Sequence, residues 1–475
     1  MFLKRSENVK VFAISVCMFV LVVVVFIYNT FDNNLQEEPA YIVAVDNEPA
    51  PTPIVAANID SITDAEPAPA AFMDVGVSDF PVLRIYTEEP DIDRNVWITA
   101  SLYLDDTYSQ NTLYGTQARI RGRGNSTWWL GDKRPFRIRF DEPVTLLDAG
   151  HYARDWTFIA NHFDRSFLRS YAVFYLAEML DTTGFVPFYR FIDVYFNGEY
   201  QGVYALSVQI SEVTEGRVEL DYHTDPAISE YLIELDYRVR ETGTLGEDFV
   251  FINGRSYEIH YPSGSRLTYE HVGYVYDFLY TIELAIMQRD GSIFEYIDKQ
   301  SFVDFYIIQE LVKNVDAGWS SIFMQVRGQG DARRLYMGPV WDFDLAFGNA
   351  YYMYDRYGGY GPYGIWAAER NHWFRYLMQT PEFFAAVRYR FDYIVEAYLP
   401  QMVARVEYMA STYRDSFERN FVRWPIMGEW IWPNPIVVME IDSFEGHVDF
   451  VIDYVNALVG FLTEYFNSRE YRDWR

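Results

Sequence analysis

The residues best suited to chemistry are three carboxylates, Asp316, Asp342 and Asp344, within ELVKNVDAGWSSIFMQVRGQGDARRLYMGPVWDFDLAFGN at 310–349. Clustered carboxylates repel one another unless a positive charge sits among them, and an all-oxygen ligand set suits a hard cation such as Mg2+. A magnesium–phosphate site is therefore the chemistry they suggest. The competing reading is that these acids cap turns or face water, as most aspartates do.

The supports of these acids can be read nearby: Ser301 and Asp304 form a capping-box signal, and Phe302, Phe305, Tyr306 and Val312 recur at helical spacing. The pattern predicts a core helix over 302–313, stopped by Asn314 and the Ala317-Gly318 pair. Strands are expected at 322–326 and 335–341, joined through GQGDARR as a hairpin. Asp316 then arrives at one end of the hairpin and Asp342 and Asp344 at the end of the returning strand, so all three can converge. In an extended WDFD segment, residues 342 and 344 share one side while Phe343 points into the core.

Upstream, strands are expected in FPVLRIYT, WITASLYL, TQARIRGRG and PFRIRF, from about residue 79. Between the last two lies GRGNSTWWLGDKRP, a Gly- and Ser-rich turn whose backbone amides can cradle phosphate oxygens, with Lys133 at the mouth of the next strand.

The segment NVDAGWSSIFMQV…RLYMGPVWDFDLAFGN resembles the core signature of the spore coat protein H (CotH) kinase family: Asn-x-Asp, a hairpin, Pro-x-Trp-Asp-Phe-Asp, then Gly. RGNSTWWLGDKRPF is similar to the family's Arg-Gly-Asn-Ser-Thr…Lys-Lys-x-Tyr stretch, with Arg134 in place of the second Lys. DWTFIANHFDRSFLR resembles its Trp-x-Leu-x-Ala-Asn-x-x-Asp-x-x-x-x-Arg segment at Asn161, Asp164 and Arg169. For those three, an Asp/Arg pair tying a helix start to its neighbour is as good a reading as catalysis. YLIELD at 231–236 matches Tyr-Leu-x-Glu-Leu-Asp, and the Asn197-Gly198 hairpin is shared.

The resemblance implies an α+β domain with a divergent protein-kinase-like fold, β-rich in its N-terminal part and helical in its C-terminal part. It also implies transfer of the ATP gamma-phosphate to Ser/Thr hydroxyls of coat or cell-surface proteins, with Mg2+ or Mn2+. Lys133 would be the nucleotide-phosphate lysine, with Arg134 the fallback, and Asn125 and Ser126 would lie in the phosphate loop. Asp342 and Asp344 would hold the metal; Asp316 would either orient the acceptor hydroxyl or share the metal. The chain departs from the pattern in three places. Ser207 and Val208 stand where the family has Thr-Glu, with Glu212 the conjectural substitute. His260 stands where Lys is usual, and Ser320 and Ser321 occupy a region where other kinases use an Asn for metal.

Composition sets the limits. A chain of 475 residues with 50% hydrophobic and 19% aromatic content fills a large core, and one Cys with seven scattered His offers no Cys/His metal cluster. A net charge of −29 argues against nucleic acid as a partner and suits a basic or Ser-rich protein substrate. Lys4, Arg5 and Lys10 (1–10) precede an apolar run at 11–29 long enough to cross a bilayer, and no further Lys or Arg occurs before Arg84. The expectation is an uncleaved signal-anchor with the rest of the chain on the extracytoplasmic side. Residues 30–76 read as an acidic Ala/Pro linker, and 77–475 as the CotH-like domain. The segment from 367 onward reads as mostly amphipathic helix, interrupted by RWPIMGEWIWPNP. Two other classes fit the sequence: a pseudokinase retaining the fold, and a structural surface or coat protein.

Overall fold

The computed structural model describes residues 80–89, 91–105, 113–210, 219–351 and 361–469. The apolar run at 11–29, the linker at 30–76 and Glu212 lie outside the described residues. Among those described, no helix is long and apolar enough to cross a membrane.

The strand-rich half begins with β1 (Val82–Thr87), β2 (Ile98–Asp105), β3 (Leu113–Gly122), β4 (Phe136–Val144), β5 (Ala153–Ile159), β6 (Arg190–Phe196) and β7 (Glu199–Val208). They close into a barrel in the order β1-β2-β3-β4-β5-β7-β6, with β6 lying parallel to β1. Alternation decides what fills it. Ile85, Leu102, Ile120, Ile138, Trp156 and Ile192 form its buried interior, while the intervening Arg119, Arg121, Arg137 and Arg139 take the outer face. The turn at Asn197-Gly198 forms as expected, with φ of 47° and 87°, the pair of left-handed residues a two-residue hairpin turn requires.

A second sheet follows, with order β12-β11-β8-β10-β9. Its strands are β8 (Tyr231–Leu235), β9 (Phe249–Ile252), β10 (Arg255–Tyr261), β11 (Ile322–Arg327) and β12 (Arg334–Met337). Helices α1 (Ser126–Leu130), α2 (Arg169–Leu180), α3 (Tyr269–Gln288) and α4 (Lys299–Val312) are interleaved with the strands. The C-terminal part contributes α5 (Pro381–Tyr393), α6 (Leu399–Thr412), α7 (Arg414–Arg423) and α8 (Phe444–Ser468). The largest core joins Ile233 and Met324 of this sheet to Leu176 of α2, Phe302 and Tyr306 of α4, and Leu458 of α8. The chain is thus a mixed α+β protein, β-rich first and helical later.

Three local expectations change. The cap of α4 is Asp298, whose side chain accepts from the Ser301 amide at 2.8 Å. Asp304 instead lies fully buried, paired with Arg390 at 2.7 Å; a buried acid facing a guanidinium outcompetes a capping box at the surface. The returning strand β12 ends at Met337, because Gly338 and Pro339 follow and proline donates nothing to a ladder. The WDFD segment is therefore not extended: Asp342 has φ of 68°, a left-handed conformation that Asp tolerates better than most residues. Lastly, the GRGNSTWWLGDKRP turn contains the short helix α1, folded back so that the Trp128 ring covers Gly122. A Cβ on Gly122 would lie 2.2 Å from that ring.

Candidate active site

Asp316 sits in the turn after α4. The left-handed Lys313, φ 45°, ends the helix, and the Asn314 side chain accepts from the Asp316 amide at 3.2 Å, an Asx turn. Gly318 lets this turn approach its neighbour, since a Cβ there would stand 2.2 Å from the Arg370 carbonyl. The WDFD loop is held from beneath. Phe343 is fully buried, its amide donating to Ser170 Oγ at 3.3 Å, and the Phe347 amide donates to the Val312 carbonyl at 2.7 Å, tying the loop to the end of α4.

The three acids converge electrostatically. Burial, then the Asp342 charge, push the Asp316 carboxyl up to about 7. Asp344 is raised well above the usual carboxylate range by burial, then by Asp342, Asp164 and Asp316, against the pull of Arg169. Asp316 and Asp344 are harder to ionise because Asp342 is present. Among the described residues their oxygens do not form a set of three ligand atoms mutually within 4.8 Å; Glu234, Glu258 and His260 do.

Two arginines face the cluster. Arg238 clasps Asp236 through Nε at 2.9 and 3.1 Å and reaches Ser321 Oγ at 3.4 Å; Ser321 in turn donates to Asp342 Oδ2 at 3.2 Å. Asp236, Asp342 and Asp316 together hold the Arg238 guanidinium firmly protonated, outweighing its burial. Arg123, at the end of the RGRG turn, is lowered to about 10 by burial, with the Asp342 charge opposing that shift. Both stand in segments singled out by sequence, RGRGN and YLIELDYR, yet sequence reasoning misses both. The signal is an Arg two residues beyond the ELD acid and an Arg between two glycines, each too common to notice alone.

The remaining sequence candidates divide. Lys133 is 1% exposed; its ammonium donates to the Val203 carbonyl and lies over the Phe167 and Tyr204 rings, at 4.9 and 4.6 Å. Arg134 is exposed and stacks on Trp128 at 4.9 Å. Asn125 accepts from Arg94 Nη2 at 2.6 Å, and Ser126 opens α1 at the surface. None of these four is placed against the carboxylates. Asp164 and Arg169 form a fully buried pair at 2.5 Å, and Arg169 Nε donates to the Ala346 carbonyl at 3.2 Å, so they brace the WDFD loop. Asn161 pairs with the Tyr189 hydroxyl at 3.0 Å. Val208, fully buried, pairs with Trp156 of β5.

A family model described as CotH kinase protein matches residues 119–459, most of the chain and all of the carboxylate cluster. The chain belongs to the CotH kinase family. No curated protein matches it. For a CotH-family chain, kinase-like chemistry is the coarse reading, and the matched span includes the barrel strands from β3, the second sheet and α8 up to residue 459.

Proposed function

We propose that the chain is an atypical protein kinase that transfers the ATP gamma-phosphate to Ser or Thr hydroxyls in a Mg2+-dependent reaction. The observation that carries this is the cluster itself: Asp316 and Asp344 are both raised by burial and by Asp342, a frustrated set of oxygen donors that a hard divalent cation relieves. With no sulfur or imidazole among them, Asp342, Asp344 and Asp316 fit Mg2+ or Mn2+, which when bound would neutralise phosphate charge.

The chain's own residues do the rest. Arg238 and Arg123 supply fixed positive charge beside the acids, where phosphate oxygens need it. Asp316, held by the Asx turn, orients the acceptor hydroxyl or shares the metal. Lys133, the lysine implied by the family pattern, would have to leave the Val203 carbonyl to reach a phosphate, whereas Arg123 would not. The acidic balance supports a basic protein substrate, and transfer to Ser or Thr hydroxyls would favour a Ser-rich one. The apolar run at 11–29 supports a membrane-anchored enzyme with an extracytoplasmic domain.

A second reading is a pseudokinase that binds nucleotide without turnover. It is favoured by the buried Val208 at the family's Glu position and by the covered ammonium of Lys133. The test incubates the purified full chain with γ-labelled ATP, Mg2+ and a Ser/Lys-rich peptide, with Asp316→Asn and Asp342→Asn alongside. Label lost in both variants supports the kinase. No label, with ATP still raising the melting temperature, selects the pseudokinase. A chain that shows neither label nor stabilisation by ATP rejects both readings.

A further inference from the structure

Next to the aspartate cluster, the second sheet presents a different constellation. Glu234 of β8 lies directly opposite Glu258 of β10, and His260 follows two residues later on the same face of β10. Like charges directly across a ladder destabilise it unless something positive lies between them. The register of β10 shifts between Ile259 and Tyr261, a bulge that re-aims His260 toward Glu234. The imidazole Nε2 stands 2.6 Å from Glu234 Oε2, and Nδ1 stands 3.7 Å from Glu258 Oε1. The ring stacks on Phe323 at 5.7 Å and 27°, which fixes its plane.

We propose that Glu234, Glu258 and His260 form a binding site for a borderline divalent transition metal, with Zn2+ the best fit, distinct from the aspartate cluster. The three ligand atoms lie within 4.8 Å of one another. Zn–N and Zn–O bonds of about 2.0–2.2 Å place neighbouring ligands roughly 3–4 Å apart, so the His260 Nε2–Glu234 Oε2 pair must open by about 1 Å to admit an ion and the more exposed Glu258, now facing Nδ1, must swing to join it. An imidazole with two carboxylates selects Zn2+ or Co2+ over Mg2+. The Glu258 side chain, 32% exposed, leaves one side open for entry and for a water or outside ligand. A metal bound there would replace the hydrogen bond between His260 Nε2 and Glu234 Oε2. Asp236, just past the end of β8, pairs instead with Arg238, on the side of Ser321 and Asp342.

The test requires no catalysis, so it stands or falls separately from the kinase reading. The full chain, solubilised in mild detergent and stripped with chelator, is titrated with Co2+ and followed by its visible d–d absorption. One equivalent is expected to bind, to be displaced by Zn2+, and to resist about a thousandfold excess of Mg2+. His260→Gln should weaken Co2+ binding at least about 100-fold, more than the loss of an outer-shell partner, while Asp342→Asn should leave it within about twofold. Circular dichroism checks the fold of each variant; if His260→Gln fails to fold, the more exposed Glu258→Gln carries the test with the same expected loss. Absence of a Co2+ band in the wild type overturns the proposal, and so does wild-type affinity in the folded His260→Gln or, where that variant does not fold, in Glu258→Gln. A band lost in Asp342→Asn but kept in His260→Gln overturns it by placing the metal among the aspartates.

Discussion

The outer face of the barrel and the loop cluster beyond the second sheet handle charge in opposite ways. On the barrel, Arg121, Arg137 and Arg139 surround the Trp97 ring at 4.8, 5.9 and 4.9 Å. Asp155 accepts from Arg137 and Arg139 at 2.9 and 2.8 Å. Burial raises Asp155, but hydrogen bonds from Arg139 and Arg137 outweigh it and hold the carboxyl below its usual range. In the cluster, Asp316 and Asp344 move the other way. The barrel acid is matched within the fold; the loop acids are left to be matched from outside. Strongly raised carboxylates in a cleft mark a functional site more often than satisfied ones do.

The contrast breaks most visibly on activity. Asp342→Asn should cut phosphoryl transfer by at least about 1,000-fold, the scale of several kcal/mol of lost charge stabilisation. Asn is chosen because it tolerates the positive φ of residue 342. Next, Arg123→Gln should weaken ATP binding about tenfold or more, whereas Lys133→Met should change it by less than about threefold, since Met replaces the buried stem without needing a phosphate partner. Isothermal titration separates them. A larger loss for Lys133→Met would show that nucleotide draws the lysine from under Val203, and the division between the two regions would fall.

Stability against pH sharpens the same contrast. Asp316 and Asp344 are raised in the folded state, so their contribution is complete below the unfolded carboxylate value near 4 and is lost as pH rises through about 7 for Asp316. Asp155 is lowered, so its contribution is present above that unfolded value and is lost as pH falls through the folded one. Without metal, the melting temperature should therefore decline between about pH 5 and pH 8, and Mg2+ or Asp342→Asn should flatten the decline, by about 2 °C at the alkaline end. Asp155→Asn should instead remove stability at neutral pH and leave the alkaline decline unchanged. The smallest effect is expected at the surface: Ser126→Ala, at the exposed start of α1, should keep ATP affinity within about twofold.

Much of this was legible in the chain because short-range rules decide it. Barrel strands with alternating apolar positions, the Asn197-Gly198 turn, the long amphipathic helices and the family blocks all follow from local pattern. The convergence of Asp316, Asp342 and Asp344 was legible too, from the order of helix and hairpin. What escaped depends on contacts distant in sequence. Asp304 left its capping role for Arg390, 86 residues on. Lys133 turned under Val203, and Arg123 gained its meaning only from Asp342, across the fold. Closure of seven strands into a barrel, with β6 parallel to β1, has no local signature either.

The buried amide of Asn434 donates to the Phe163 carbonyl at 3.1 Å and to the Asn349 carbonyl and side chain at 3.1 and 2.9 Å. Asn349 also holds the Asp344 carbonyl at 2.7 Å. One side chain late in the chain thus seals the far end of the WDFD loop, and Tyr454 closes over the adjoining Gly348, where a Cβ would lie 2.5 Å from its ring. The smallest fragment able to keep the loop in shape must therefore run past residue 454. A chain that spares every acidic residue of the cluster but ends before α8 would keep Asn434 and lose the Tyr454 ring over Gly348; one that ends before residue 434 would lose both.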